Sequence, residues 1–530
     1  MNSITLFWKK IKKIHLKHDI LIVVFLFIAS AILYSTVLFL YFQADEWYFF
    51  GKVLAVSECG ISCLMKPSGF HFIPFSSVFV YIYYKLFDIN PLPYAFFSYI
   101  LHLINGLLMY IVINKIFGKS PAFFASVFFL VFAQANQSVT WFAAAFAVLP
   151  AAFFLLVSII YYLYSLEGKR MALVGAYTSL IISLFFKEDA IGFFPIFFLY
   201  DFFKKRDRVR VAVGAIIMIV YLLIRLLAVQ SFHAEQIVTS PFVYTFEQLI
   251  RNSVVMPLSL LSSLVFREQD ILLLGKIVGN FVLMLFSLPL DVIRNRDIFN
   301  ENIAYNYLAP LLGFIIALVL KRILRLTNKI VFIGLAAVLM LSLPYIFLPQ
   351  GLRLESRHYY IFSIALSGVI AYVYLIIQTK SKLMRYVMAC LFGVLILHNI
   401  IGVRQNLSYS LRVSNSLRSY IESLILARAH ITKKIILINT GDPPPLYSGV
   451  GYAAMILYSS KNNYKDFFLK DELWNWGSEG YFEHGDTGFG FYLSNNSYLS
   501  AVGLPADAQA ISLNWNSKTH EAKVQKIATE

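Results

Sequence analysis

The chain has 530 residues, 59% hydrophobic and only 14% charged, against about 25% charged in a soluble domain, which excludes an ordinary water-soluble enzyme. The formal net charge of +16 would point to nucleic acid in a soluble protein. Here the basic residues fall in short connections between apolar runs, so the excess reads as membrane topology and no nucleic-acid partner is expected.

Lys9, Lys10, Lys12, Lys13 and Lys17 precede an apolar run over 20–42. That run is too long for a signal-peptide core and no small-residue cleavage site follows it. Residues 1–19 are therefore expected to be a cytoplasmic N-terminus and 20–42 a retained first span. Residues 43–92 then lie outside, with Asp45, Glu46, Cys59, Cys63 and a short interfacial stretch over 72–87. The two cysteines are spaced to form a short bridge there, and Cys390 falls within a later helix. Further spans are expected over 93–116, 121–135, 139–165, 171–186, 190–203 and 211–229, with basic groups such as Lys204, Lys205, Arg208 and Arg210 marking the cytoplasmic side. Residues 230–302 are broken by Arg251, Arg267, Glu268, Asp270 and Lys276 and read as a second outer segment of interfacial helices with no net crossing. Spans over 304–320, 330–348, 359–377 and 386–403 complete the count. The fold class is an all-α polytopic membrane protein of about eleven transmembrane helices over 20–403. A small extracytoplasmic α+β domain follows over 404–530, where an apolar run at Ile435–Ile438 meets turn residues from Gly441 to Pro445.

In this scheme ionisable residues from distant segments share the outer boundary: Asp45 and Glu46, the triplet Lys187-Glu188-Asp189, and Arg353, Glu355, Arg357 and His358. Charges beside apolar spans are costly and usually face a cavity. Carboxylates mixed with fixed cations at that depth suit a lipid carrying a phosphate and a polar group to be moved: cations neutralise the phosphate, and a carboxylate takes the proton of an attacking hydroxyl. Plainer readings exist. From spacing alone the acidic pair is equally a solvated helix boundary, Lys187-Glu188 an interfacial ion pair of little energetic weight, and Arg357 a snorkelling anchor. Trp47 and Trp141 read as aromatic belt, and His71 and His102 as packed polar groups. No metal-binding constellation is apparent.

The stretch "FFKEDAIGFFPIFFLYDF", with Lys187, Glu188, Pro195, Tyr200 and Asp201, resembles a pattern of the GT-C glycosyltransferases, in the branch of the TPR-bearing O-mannosyltransferases and their prokaryotic relatives. Similar in the same way are "HLINGLLMYIVINKIFG" (His102, Asn105), "QANQSVTWF" (Val139, Trp141) and "LESRHYYIF" (Glu355, Arg357, Tyr359, Tyr360), together with the acidic pair Asp45-Glu46 in the first outer loop. The resemblance covers about residues 20–405. The family's arginine in the first loop is missing, "HFIP" at His71–Pro74 keeping only the proline, and no TPR array follows.

The resemblance implies an inverting transfer of a sugar from a polyprenyl-phosphate donor. Asp45 would be the base or the residue that orients the acceptor, supported by Glu46. Lys187 and Arg357 would hold the donor phosphate, assisted by His358, with Glu188, Trp47, His71, Glu355 and Tyr359 lining or supporting the site. The partners would be membrane lipid, the lipid-linked sugar donor, and a protein, lipid or polysaccharide acceptor. Some members of the superfamily use a divalent metal; this pattern leans towards independence from one. The C-terminus would be extracytoplasmic. Two other functions compete: a polymerase or ligase of lipid-linked polysaccharide, and a transporter or flippase. The latter tends to show broken helices and internal repeats near the midplane.

Overall fold

The fold, a computed structural model, is described for residues 16–67, 71–205, 207–235, 246–286, 296–324, 338–342 and 356–427. In the C-terminal segment it is described for 434–439, 453, 456–457, 475–477, 480–484, 490–493, 508–516, 518–519 and 521–526. Long apolar stretches in a lipid phase must satisfy every backbone group internally, and a helix does so within one segment. The chain forms α1 (Leu16–Tyr34), α2 (Ala44–Cys59), α3 (Pro74–Phe87), α4 (Pro91–Phe117), α5 (Lys119–Val131), α6 (Phe142–Leu166), α7 (Arg170–Phe186), α8 (Phe193–Tyr200), α9 (Arg208–Glu235), α10 (Phe246–Ser262), α11 (Glu268–Phe286), α12 (Arg296–Ile303), α13 (Ala309–Leu324), α14 (Tyr359–Gln378) and α15 (Lys382–Ala427).

Among the described residues eight helices are long and apolar enough to cross a membrane, or nine if the pair Lys119–Val131 and Ala133–Thr140, bent by 45°, is one span. This is a multi-pass helical membrane protein. The count stops short of eleven for identifiable reasons, one being that α7, expected as the span 171–186, has only 17 residues and is not among the eight. The span expected over 330–348 lies largely outside the described residues. That over 190–203 is instead a 3-10 turn (Glu188–Gly192), the eight-residue α8 and a π-helical turn (Asp201–Lys205). The segment 230–302 also differs from its expectation as an interfacial loop, because α11 within it passes the length and apolarity test for crossing. Two of its three charges, Glu268 and Asp270, fall in its first turn, and Lys276 alone interrupts the apolar remainder.

The two ends of the bundle differ in charge. At one end Lys115 of α4 pairs with Glu167 after α6 at 2.5 Å. There too Arg210 of α9 pairs with Asp207 at 3.1 Å and donates to Ser165 Oγ at 3.1 Å. At the other end α2 packs down onto the bundle through aromatics. Phe42 meets Trp47, Phe50, Tyr94 and Phe142 edge-on at 5.8, 5.0, 5.1 and 6.0 Å, geometry that adds to their burial energy. Trp47 is therefore a core residue, 0% exposed, and not part of an interfacial belt. In the loop after α2, Cys63 is disulfide-bonded, whereas Cys390 is free and exposed; the side chain of Cys59 lies outside the described set.

α15 is one continuous helix of 46 residues, about 69 Å long at the usual rise and more than twice the ~30 Å hydrocarbon core. The helix end expected at 403 does not occur. The polar residues Arg404, Gln405, Asn406 and Ser408 are compatible with helix, and no proline interrupts them. Gly402 marks a close approach of α15 to its neighbours: a Cβ there would lie 2.7 Å from Arg267 Cδ and 2.8 Å from Ala133 Cβ. Beyond α15 the described strands are β1 (Lys434–Asn439), β2 (Asn475–Gly477), β3 (Gly480–His484), β4 (Gly490–Leu493), β5 (Ala508–Asn516) and β6 (Glu521–Lys526). They form one mixed sheet in the order β2-β3-β4-β1-β5-β6, with β1 parallel to both β4 and β5 and the outer pairs antiparallel.

Candidate functional site

α7 ends at Phe186, and the chain leaves it through Lys187 in an extended conformation (φ −159°, ψ 127°) before the Glu188–Gly192 turn. This break sets three ionisable side chains in a row at the end of the bundle, and partners arrive from both directions along the sequence. From the first loop, His71 Nδ1 meets Glu188 Oε1, and Lys187 Nζ lies 3.2 Å from the same ring nitrogen and 3.6 Å from Glu188 Oε1. One nitrogen cannot serve both neighbours. With Glu188 ionised, the Nδ1–H donates to its carboxylate, and Lys187 attends that carboxylate by charge. From the segment before α14, His358 Nδ1 reaches Asp189 Oδ2 at 3.3 Å.

The cluster is buried behind a wet rim. The His71 side chain is 43% exposed, Glu188 12%, Lys187 6% and Asp189 3%. Burial alone would push both carboxyls up. Lys187 first, then His71 and Arg225, overcome this and hold Glu188 well below the usual carboxylate range. Lys187 and His358 likewise pull Asp189 down. Glu188 Oε2 is buried with no hydrogen-bond partner among the described residues, so an ionised oxygen is left that they do not satisfy.

The acidic pair is held separately. Glu46 is 3% exposed. Its Oε2 accepts from Gln43 N at 2.9 Å, closing the first turn of α2, and its Oε1 accepts from Ala143 N at 2.9 Å, at the start of α6. Burial pushes its carboxyl up to about 7, helped by the neighbouring Asp45 and opposed by the Ala143 and Gln43 amides. Glu46 thus clamps α2 to α6 and fixes the backbone that carries Asp45, which is half-buried. Two residues before Ala143, the Trp141 ring carries Arg357, whose guanidinium carbon is 4.6 Å from the ring centroid. Ser138 Oγ donates to Arg357 O at 2.9 Å, and Tyr359 is buried at the start of α14.

Of the residues singled out from sequence, His71, Lys187, Glu188 and His358 therefore meet in one cluster. Glu46 and Arg357 meet the chain at the start of α6, Asp45 is the neighbour of Glu46 in α2, and Trp47 belongs to the core. Glu355 lies outside the described residues. Two members carry no assigned role in the sequence reading. Asp189 completes the cluster and is visible as the third charge of Lys187-Glu188-Asp189. Arg225 of α9 is the lone charge in "AIIMIVYLLIRLLAV"; an ionisable residue within such a run is a functional signal in itself.

Between α5 and α6 the chain also borders a polar cavity of about 480 Å³, within the ~300–1,000 Å³ range of ligand pockets. Gln43 and Ser356 reach it from either side of the acidic pair and Arg357. Among the described residues no group of three or more His, Cys, Asp or Glu is placed to hold a metal. Compared with known proteins, the chain matches no family model and no curated relative.

Proposed function

We propose that the protein is a membrane glycosyltransferase of GT-C type that moves a sugar from a polyprenyl-phosphate donor to an acceptor hydroxyl. The observation that carries this reading is the buried cluster of His71, Lys187, Glu188, Asp189 and His358, drawn from three separated segments to one end of an apolar bundle. Burying charges costs several kcal/mol per ion, and stability gains nothing from it that apolar residues would not provide, so the cluster is kept for what it does. In the proposed reaction the acceptor oxygen attacks the anomeric carbon and gives its proton to Asp45. The bond from that carbon to the phosphate oxygen breaks, and the electron pair stays on the phosphate, inverting the centre. Lys187 and Arg357 neutralise the leaving phosphate, His358 assists as a hydrogen-bond donor, and Glu46 sets the position of Asp45.

The basic end of the bundle would face the cytoplasm by the positive-inside rule. The reactive end, the continuation of α15 and the sheet, as an α+β domain, would lie outside. The bent pair Lys119–Val131 and Ala133–Thr140 lends a transporter reading its one support, since broken helices are common there; charges gathered at one end weigh against it. Purified protein in lipid nanodiscs, given radiolabelled polyprenyl-phosphate sugars, should release label to an acceptor fraction. Asp45→Asn should lower transfer by about 10²–10⁴-fold with insertion intact. Absence of transfer from every such donor would remove the reading. Vesicle uptake without a new glycosidic bond would favour the transporter, and products longer by many units a polymerase.

A further inference from the structure

The cavity of about 480 Å³ is unlike the charged cluster in every respect that decides what binds. Six carboxamides line it: Gln43, Gln134, Asn136, Gln137, Gln269 and Asn406. Its two charged lining residues are already engaged. Arg267 pairs with Asp270 at 3.2 Å and donates to Gln405 Oε1 at 3.0 Å, while Glu268 accepts from Tyr305 OH at 3.1 Å. A phosphate or carboxylate would find no uncompensated cation there. Yet one group is unfinished: Asn136 is 3% exposed, and its Oδ1 is buried with no hydrogen-bond partner among the described residues. A buried acceptor left open is costly and calls for a donor from a ligand. Tyr409, 63% exposed, stands on α15 at the same cavity.

We propose that this cavity binds an uncharged polyhydroxylated group. A carboxamide offers a donor and an acceptor at fixed spacing, which matches neighbouring hydroxyls that each do both; six of them around a site with no net charge select a neutral sugar over a charged one. On the transferase reading above, on which only this further step rests, the ligand is the sugar portion of the acceptor. The turn Ser356–His358 joins the two regions. Ser356 Oγ donates to Gln134 O and accepts from Gln137 N at 3.1 Å on the cavity side. Two residues on, His358 joins the charged cluster.

The test uses full-length protein in phosphatidylcholine nanodiscs, free of glycoside detergent, with methyl hexosides and neutral disaccharides as probes and glucuronate and glucose 6-phosphate as charged counterparts. Binding is read by saturation-transfer NMR. Saturable binding of neutral probes is expected, weakened about tenfold by Asn136→Leu and also by the exposed substitution Tyr409→Ala, which leaves the core untouched. No saturable neutral binding, equal binding of the charged probes, or binding indifferent to both cavity variants would each overturn the assignment. The same preparation, assayed for transfer, separates the two readings. Hexoside binding without transfer keeps the cavity and removes the transferase; transfer without hexoside binding does the reverse.

Discussion

The charged junction after α7 and the carboxamide cavity beside α15 lie on two sides of one three-residue turn, and they are built on opposite terms. The junction holds four formal charges and two imidazoles in a place where each charge is tolerable only because of the next. The cavity holds amides whose hydrogen bonds are mostly local: Gln134 Nε2 donates to Phe266 O at 3.2 Å and Asn406 Nδ2 to Ala133 O at 3.2 Å. Removing a member should therefore be expensive in the first region and mild in the second. In the cavity, replacing the half-satisfied Asn136 by an apolar side chain removes a buried oxygen that has nothing to bond.

The sharpest way to break this contrast is Lys187→Met. It strands Glu188 and Asp189 as buried anions with only the imidazoles and Arg225 nearby, and should cost about 3–5 kcal/mol together with sugar transfer. Adding Glu188→Gln should recover part of the stability and none of the transfer. The apparent unfolding midpoint in nanodiscs, read for the single and double variants, checks both. A Lys187→Met protein as stable as the parent would mean that the junction is solvated and its charges independent.

Glu46 supplies the next largest effect and a direction in pH. Its carboxyl titrates higher in the folded protein, at about 7, than its ordinary value of 4.5. Between those values the folded state binds the extra proton, so stability is greatest at the acid side and falls as pH rises through the window. Glu46→Gln should flatten that fall, a change of about 2–3 kcal/mol across the window at 1.36 kcal/mol per unit. The check is the unfolding midpoint of both proteins at a series of pH values from 4.5 to 8. A parent midpoint that does not decline there would show that Glu46 is ionised when folded.

How much of this could be seen in the sequence follows from the same contrast. Apolar runs announce spans, and the Lys187-Glu188-Asp189 triplet and "LESRHYYIF" stand out because charge is scarce in this chain. The cavity did not stand out, because Gln134, Gln137, Gln269 and Asn406 look like ordinary loop and helix polarity and become a site only when elements more than a hundred residues apart are juxtaposed. Hydropathy falls after Gly402, which suggests that the last span ends at 403, although nothing there stops a helix. Arg225 is hard to see because it is a single charge inside an apolar run long enough to cross a membrane.

The smallest effect falls on the shared turn. Arg357 rests on Trp141, an arrangement worth about 0.5–1 kcal/mol where it is exposed and about 2 when desolvated. Arg357→Ala should therefore move the unfolding midpoint little, far less than Lys187→Met. If Arg357 only anchors the turn, Arg357→Lys should behave as the parent does, because a lysine also sits over an indole ring. If it neutralises a leaving phosphate, transfer should fall markedly in the alanine variant and partly in the lysine variant, since an ammonium keeps the charge and loses the fork of the guanidinium. Measured beside hexoside binding, this pair of substitutions shows which region the turn serves. A loss confined to transfer ties it to the junction; a loss of neutral-sugar binding ties it, through Ser356, to the cavity.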